Sequence, residues 1–116
     1  MKRIKIINAT TIFLFAFFVI SGCSEKIVDP AVESLAICLS DSGAEFYGAY
    51  WCGHCEEQKE MFGSAWESLP YVECTKQQLR CEQAELTGYP TWKFADGRIE
   101  TGKLSFAQLR EYSGCE

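Results

Sequence analysis

The period of the apolar positions changes several times along the chain, and each change marks an element. Residues 12–20 are uninterruptedly apolar behind a basic start of Lys2, Arg3 and Lys5, and end in Ser21, Gly22 and Cys23. Residues 24–33 carry no apolar period and read as a short tether. Leu35, Ala36, Cys38 and Leu39 predict a short helix that Gly43 ends. Residues 45–50 read as a strand rich in aromatics. Cys52 opens a predicted helix to about residue 66. Its inner face holds Cys55, the stem of Lys59, Met61, Phe62 and Trp66, and Leu69-Pro70 breaks it. Residues 71–74 read as a second strand, and 77–86 as a helix closed by Gly88. Residues 91–95 and 98–101 predict two strands around Asp96-Gly97, a hairpin signal. Ser105 caps a last helix, with Gln108 three residues on as a capping box. Phe106, Leu109 and Tyr112 share one face of it, and Gly114 ends it. Alternating helices and strands followed by a hairpin predict an α/β domain: a central four-stranded mixed sheet flanked by helices.

The N-terminal segment has the order of a secretory signal: basic, then apolar, then small. Its nine apolar residues are too few to cross a bilayer, which takes about 20 in a helix. Ile20-Ser21-Gly22-Cys23 resembles a bacterial lipobox, which implies that Cys23 is acylated and becomes the mature N-terminus. The plainer alternative is an ordinary cleaved signal with a chance cysteine. Two or three acyl chains would hold the protein stably at a membrane, where one would not. Ser24 after the cysteine implies that passage to an outer membrane is permitted. The expected organisation is a signal over 1–22, a lipid-anchored tether over 23–33 and one domain over 34–116. The expected location is extracytoplasmic, on a bacterial membrane, facing the periplasm or the outside.

Loss of residues 1–22 removes three bases and no acid, leaving eight bases against 16 acids and a net charge of −8. That balance argues against nucleic acid and against a polybasic lipid-binding patch. It leaves six cysteines beside the lipid site: Cys38, Cys52, Cys55, Cys74, Cys81 and Cys115. An even number in a small exported domain suggests disulfides, which would help a domain of this size.

Trp51-Cys52-Gly53-His54-Cys55 falls where a strand meets a helix. A helix start presents unpaired N–H groups and the positive end of the dipole, and both favour a thiolate at Cys52. His54 adds a nearby donor. The thiolate is the nucleophile of disulfide exchange. Cys55, three residues on and on the same face, can attack the mixed disulfide and release the substrate. Gly53 and His54 set how far the two redox forms differ in stability. A closed structural disulfide or half a zinc site is the bland alternative. Zinc is disfavoured because Cys74 and Cys81 do not repeat the spacing and His54 is the only histidine. No metal and no cofactor is expected beyond the redox-active disulfide Cys52–Cys55.

Gly88-Tyr89-Pro90-Thr91 precedes a strand, where proline is ordinary. Its functional reading is a cis Tyr89–Pro90 bond that packs against the cysteine pair and exposes backbone to a substrate. Tyr50, Trp51 and Tyr89 are expected to face the substrate, while Phe62, Trp66 and Phe94 belong to the core. Cys74 and Cys81 read as a structural disulfide, with an electron relay to Cys52–Cys55 as the alternative. Cys38 and Cys115 are equally compatible with a bridge between the domain's ends and with a buried, unpaired Cys38.

Residues 46–55, Phe-Tyr-Gly-Ala-Tyr-Trp-Cys-Gly-His-Cys, then Pro70-Tyr71-Val72-Glu73-Cys74, then Gly88-Tyr89-Pro90-Thr91-Trp92, resemble the thioredoxin-like domain found fused to bacterial vitamin K epoxide reductase homologues. The resemblance spans nearly all of 34–115. It implies a thioredoxin-like fold that exchanges disulfides with exported proteins and is reoxidised by a quinone-linked membrane part. It implies Cys52 as attacking thiol, Cys55 as resolving thiol and Pro90 as the cis-proline, with Cys74 and Cys81 matching that domain's additional pair. The chain departs from the pattern at Gly53, where many members carry proline, and in a shorter 74–81 loop. It shows no membrane helices, so a quinone-linked partner, vitamin K epoxide reductase-like or other, is expected as a separate chain. Phe46 stands six residues before Cys52, where thioredoxins proper bury an aspartate. Cys-Gly-His-Cys is the sequence of protein disulfide isomerases, whose potential is about −180 mV against about −270 mV for thioredoxin. The expected activity is therefore that of an oxidase or isomerase. The alternatives are a membrane-anchored reductase, for example for haem-attachment cysteines, and a non-enzymatic binding or metal-carrier domain.

Overall fold

The computed structural model describes Gly22 and residues 27–116. The expected signal segment, apart from Gly22, and the expected lipid site Cys23 lie outside the described residues.

The first helix, α1, is Pro30–Asp41. It begins at Pro30, inside the stretch 23–33 that reads as a tether. The signal was Asp29-Pro30. The Asp29 carboxylate accepts from the Ala31 N–H at 2.8 Å, and Pro30 brings a preset helical φ to a position that needs no N–H. Leu35, Ala36 and Leu39 form the buried face.

Strand β1 (Glu45–Gly48) leads through a turn, closed by Cys52 N–H on the Ala49 carbonyl at 3.0 Å, into helix α2 (Gly53–Phe62). The helix does not reach residue 66 as expected. Gly63 takes φ +56°, a left-handed value that suits glycine, and the chain tightens into a 3₁₀ segment, Gly63–Ser68. The buried face of α2 is Cys55, Gln58 and Phe62. Gln58 was not expected there, while Met61 lies half-exposed at the rim. Strand β2 is Tyr71–Glu73. Helix α3 is Gln78–Gln83, shorter than expected, because Ala84 caps it and Glu85 turns to φ +54° well before Gly88. Strands β3 (Thr91–Lys93) and β4 (Ile99–Thr101) pair around a turn with Gly97 at φ +91°. Helix α4 (Phe106–Ser113) starts at the Ser105/Gln108 capping box and ends at left-handed Gly114.

The four strands lie in the order β2-β1-β3-β4, parallel between β1 and β2 and antiparallel elsewhere. Side chains alternate across the sheet. Phe46 and its partner Trp92 face the larger core, built with Leu35, Leu39, Phe62 and Leu109. Tyr47 and its partner Val72 face a smaller one, with Cys74, Cys81 and Ala84. Phe46 is gripped edge-on by Trp66 and Trp92, each with ring centroids at 4.9 Å. A Cys38–Cys115 disulfide ties α1 to the second residue after α4.

Gln58 holds the larger core together through polar bonds. Its amide oxygen accepts from Leu104 N–H at 2.8 Å and Trp92 Nε1 at 3.3 Å, and its amide nitrogen donates to the Leu104 carbonyl at 3.1 Å. The side chain is wholly buried, so these bonds replace the water it has lost.

Candidate active site

Cys52 is the N-cap of α2. Its sulfur accepts from the Cys55 N–H at 3.2 Å, and its carbonyl accepts from Glu56 N–H at 3.2 Å. An orphan donor of the helix start thus points at the sulfur that would carry negative charge. With the positive end of the helix dipole, this favours the Cys52 thiolate once the bond opens. Cys52 and Cys55 are joined as a disulfide with Cα atoms 5.2 Å apart. Cys55 is fully enclosed, while Cys52 lies at the surface edge of the same cluster.

Gly53 has open space around its Cα. His54 is exposed and turns to Glu57, with Nδ1 3.4 Å from Oε2; Lys103 Nζ lies 2.6 Å from the same oxygen. The hydrogen bonds from Lys103 first, then from His54, hold the Glu57 carboxyl below its ordinary value. The structure therefore directs His54 toward the Glu57–Lys103 ion pair.

The wall opposite comes from the loop before β3. The Tyr89–Pro90 peptide is cis, and Pro90 is buried. The Pro90 carbonyl accepts from Gly102 N–H at 2.7 Å, and the Thr91 hydroxyl donates to the Gly88 carbonyl at 2.7 Å, so both sides of the bend are pinned. The Tyr89 ring meets the Trp51 ring edge-on at 5.9 Å. Trp51 is 64% exposed and Tyr50 70% exposed. Two large, exposed aromatics beside the cysteine pair form an apolar patch of the kind that contacts other chains. Tyr89 also lines a groove of about 280 Å³ beside Cys74, Cys81 and Leu86.

Cys74 and Cys81 are bonded, with Cα atoms 5.7 Å apart. Cys74 N–H donates to the Gly48 carbonyl at 2.9 Å, so this second pair adjoins the end of β1 that feeds the site. Glu73, just before it, is a hub. Its carboxylate accepts from the Tyr71 hydroxyl, from the Thr75 hydroxyl at 2.7 Å and N–H at 3.2 Å, and from Tyr50 N–H at 3.3 Å. Partial burial would raise its pKa, but these bonds outweigh it and hold the group below the ordinary 4.5. The Tyr71 hydroxyl is pushed well up, first by burial and then by donating to Glu73. Gly48 and Glu73 were not expected from the sequence as parts of the site. The legible signal was Gly48 four residues before Cys52, on the Phe46 face of the strand.

A cysteine pair at the N-terminus of a helix, with a cis-proline loop before the neighbouring strand of a mixed sheet that meets Trp51 through Tyr89, defines a thioredoxin-like redox domain. The chain belongs to the thioredoxin family, whose profile matches residues 40–111. It is similar to the thiol-disulfide oxidoreductase LTO1 of Arabidopsis thaliana, at 43% identity over 94 residues, 73% of this chain and 25% of LTO1. It is also similar to the thioredoxin domain-containing protein 5 homolog of Drosophila melanogaster, at 32% over 91 residues, 66% of this chain and 21% of that protein. The probable protein disulfide-isomerase ER-60 of Schistosoma mansoni is 32% identical over 102 residues, 77% of this chain and 20% of its own length. The chain thus spans a quarter or less of the length of these relatives.

Proposed function

We propose that the chain is a protein thiol–disulfide oxidoreductase acting on exported proteins as an oxidase or isomerase. The observation that carries this is the Cys52–Cys55 disulfide at the start of α2, with the Cys55 N–H aimed at the Cys52 sulfur. In the oxidising direction a substrate thiolate attacks the Cys52 sulfur, and the Cys52–Cys55 bond breaks with Cys55 leaving as thiolate. A second substrate thiolate attacks the mixed disulfide and releases the Cys52 thiolate, which the helix start stabilises. The substrate has then lost two electrons and two protons to the cysteine pair. Isomerisation starts from the reduced pair and returns it unchanged. Tyr50, Trp51 and Tyr89 form the apolar rim against which a substrate lies. The names of the relatives, thiol-disulfide oxidoreductase and protein disulfide-isomerase, support the same chemistry.

The location and recycling belong to the same proposal. Acylation of Cys23 anchors the domain on the outer side of a bacterial membrane. The reduced pair is reoxidised by a separate quinone-linked membrane protein, of the vitamin K epoxide reductase type or another. A glutathione titration with thiol trapping of each cysteine tests the reading. A Cys52–Cys55 potential near or above about −180 mV supports an oxidant or isomerase. A value near about −270 mV makes the protein a reductase fed by a membrane electron carrier.

A further inference from the structure

Gly48 ends β1 on the same face as Phe46. A Cβ built on it would stand 3.0 Å from the Cys55 sulfur, 3.2 Å from Tyr71 Cε2 and 3.3 Å from Phe46 Cε1. Its φ is not left-handed, so the backbone conformation does not call for glycine. The space does. None of the surroundings gives way readily. Phe46 is locked between Trp66 and Trp92. Tyr71 is tied by its hydroxyl to Glu73, and Lys59 Nζ lies 4.4 Å from its ring centre. The Gly48 backbone cannot retreat, because it pairs with Glu73 and its carbonyl takes the Cys74 N–H. The Cys55 sulfur is the nearest of the three, and the one whose freedom changes with the redox state.

We infer that Gly48 is a positioning residue for the resolving cysteine, an inference that rests on the redox reading of Cys52 and Cys55. Its missing side chain leaves the cleft in which the Cys55 sulfur lies within reach of Cys52. From there the Cys55 thiolate attacks the Cys52 sulfur of a mixed disulfide; the new bond joins Cys52 and Cys55, and the substrate sulfur leaves as thiolate. A methyl at Gly48 presses on that sulfur. The oxidised form pins the sulfur by its bond to Cys52, whereas the dithiol lets it turn away. The added methyl therefore burdens the disulfide more than the dithiol.

The test uses the full chain in detergent with Gly48→Ala. Overpacking of this kind is expected to shift the glutathione equilibrium toward the dithiol by about tenfold, or about 30 mV. Resolution of a mixed disulfide between Cys52 and a cysteine peptide is expected to slow by about as much. A double-mutant cycle with Cys55→Ala supplies a second readout: the stability lost in Gly48→Ala should be recovered largely when the sulfur is gone. Equilibrium and resolution rates within about twofold of the parent overturn the inference, as does a stability loss that persists undiminished in the Cys55→Ala background. A parent chain that does not exchange with glutathione overturns the redox reading instead, and the cycle then decides the contact between Gly48 and Cys55 by itself.

Discussion

The Cys55 N–H donates to the Cys52 sulfur across 3.2 Å, so on the proposed reading the residue that resolves the mixed disulfide also steadies the one that forms it. The two cysteines have unequal access: Cys55 is enclosed, and Cys52 lies at the rim below exposed Trp51. Cys52→Ser should therefore abolish turnover in insulin-reduction and RNase-refolding assays. Cys55→Ser should keep the first attack and accumulate mixed disulfides, visible as shifted bands on non-reducing gels. Turnover by the Cys52→Ser protein would remove the assignment.

Gln58 satisfies two backbone groups of Leu104 and the Trp92 indole at once. Gln58→Leu would strand these buried groups, each at a cost of about 1–3 kcal/mol. We expect the unfolding free energy from urea titration to fall by about 3 kcal/mol. A loss below about 1 kcal/mol would mean that the clamp is dispensable.

The two outlying disulfides should differ in weight. Cys38–Cys115 closes 77 residues and Cys74–Cys81 closes seven. On the chain-entropy account the first contributes about 4 kcal/mol and the second about 2 kcal/mol. Paired alanine variants, compared by thermal melting, should keep that order. If Cys74→Ala/Cys81→Ala instead stops turnover at temperatures where the domain stays folded, the second bridge is an electron relay and not only a staple.

Glu73 holds Tyr50, two residues before Cys52, onto β2. Its folded pKa is depressed, because its hydrogen bonds outweigh the desolvation that would raise it. The stability it contributes is therefore fully present above the ordinary value of 4.5 and is lost as pH falls through the lower folded value. Glu73→Gln should be less stable than the parent at neutral pH, and the gap should close in acid well below pH 4.5. Urea midpoints measured across that range check this; a gap that stays constant with pH assigns the effect to packing.

Cys23→Ala should release the protein from the membrane fraction, and globomycin should leave an uncleaved, heavier precursor. Unchanged mass and fractionation under both treatments would overturn lipidation.

Much of the architecture was legible because it rests on local signals. The Ser105/Gln108 capping box, the Asp96-Gly97 turn and the Cys-x-x-Cys at a strand-to-helix junction each involve residues a few positions apart, and each appears in the structure. Three element boundaries differ from the expected ones, each for a local reason. Asp29-Pro30 is a helix start, Gly63 adopts a left-handed angle, and Glu85 turns the chain before Gly88 does. Gln58 is different in kind. A polar residue on an amphipathic helix reads as surface, because the partners that make its burial tolerable, Leu104 and Trp92, lie 46 and 34 residues away.

The sequence alone determined the kind of chemistry: two cysteines three apart at a helix start, with a proline before a later strand. It also determined the order of helices and strands, since both depend on short-range periodicity and backbone preference. Only the tertiary structure decided that Cys38 meets Cys115, that Glu73 braces Tyr50, and that Gly48 leaves room for the Cys55 sulfur. Those relationships join residues on different elements. No spacing along the chain encodes them, because they exist only once β1 pairs with β2 and β3 and the helices close over the sheet.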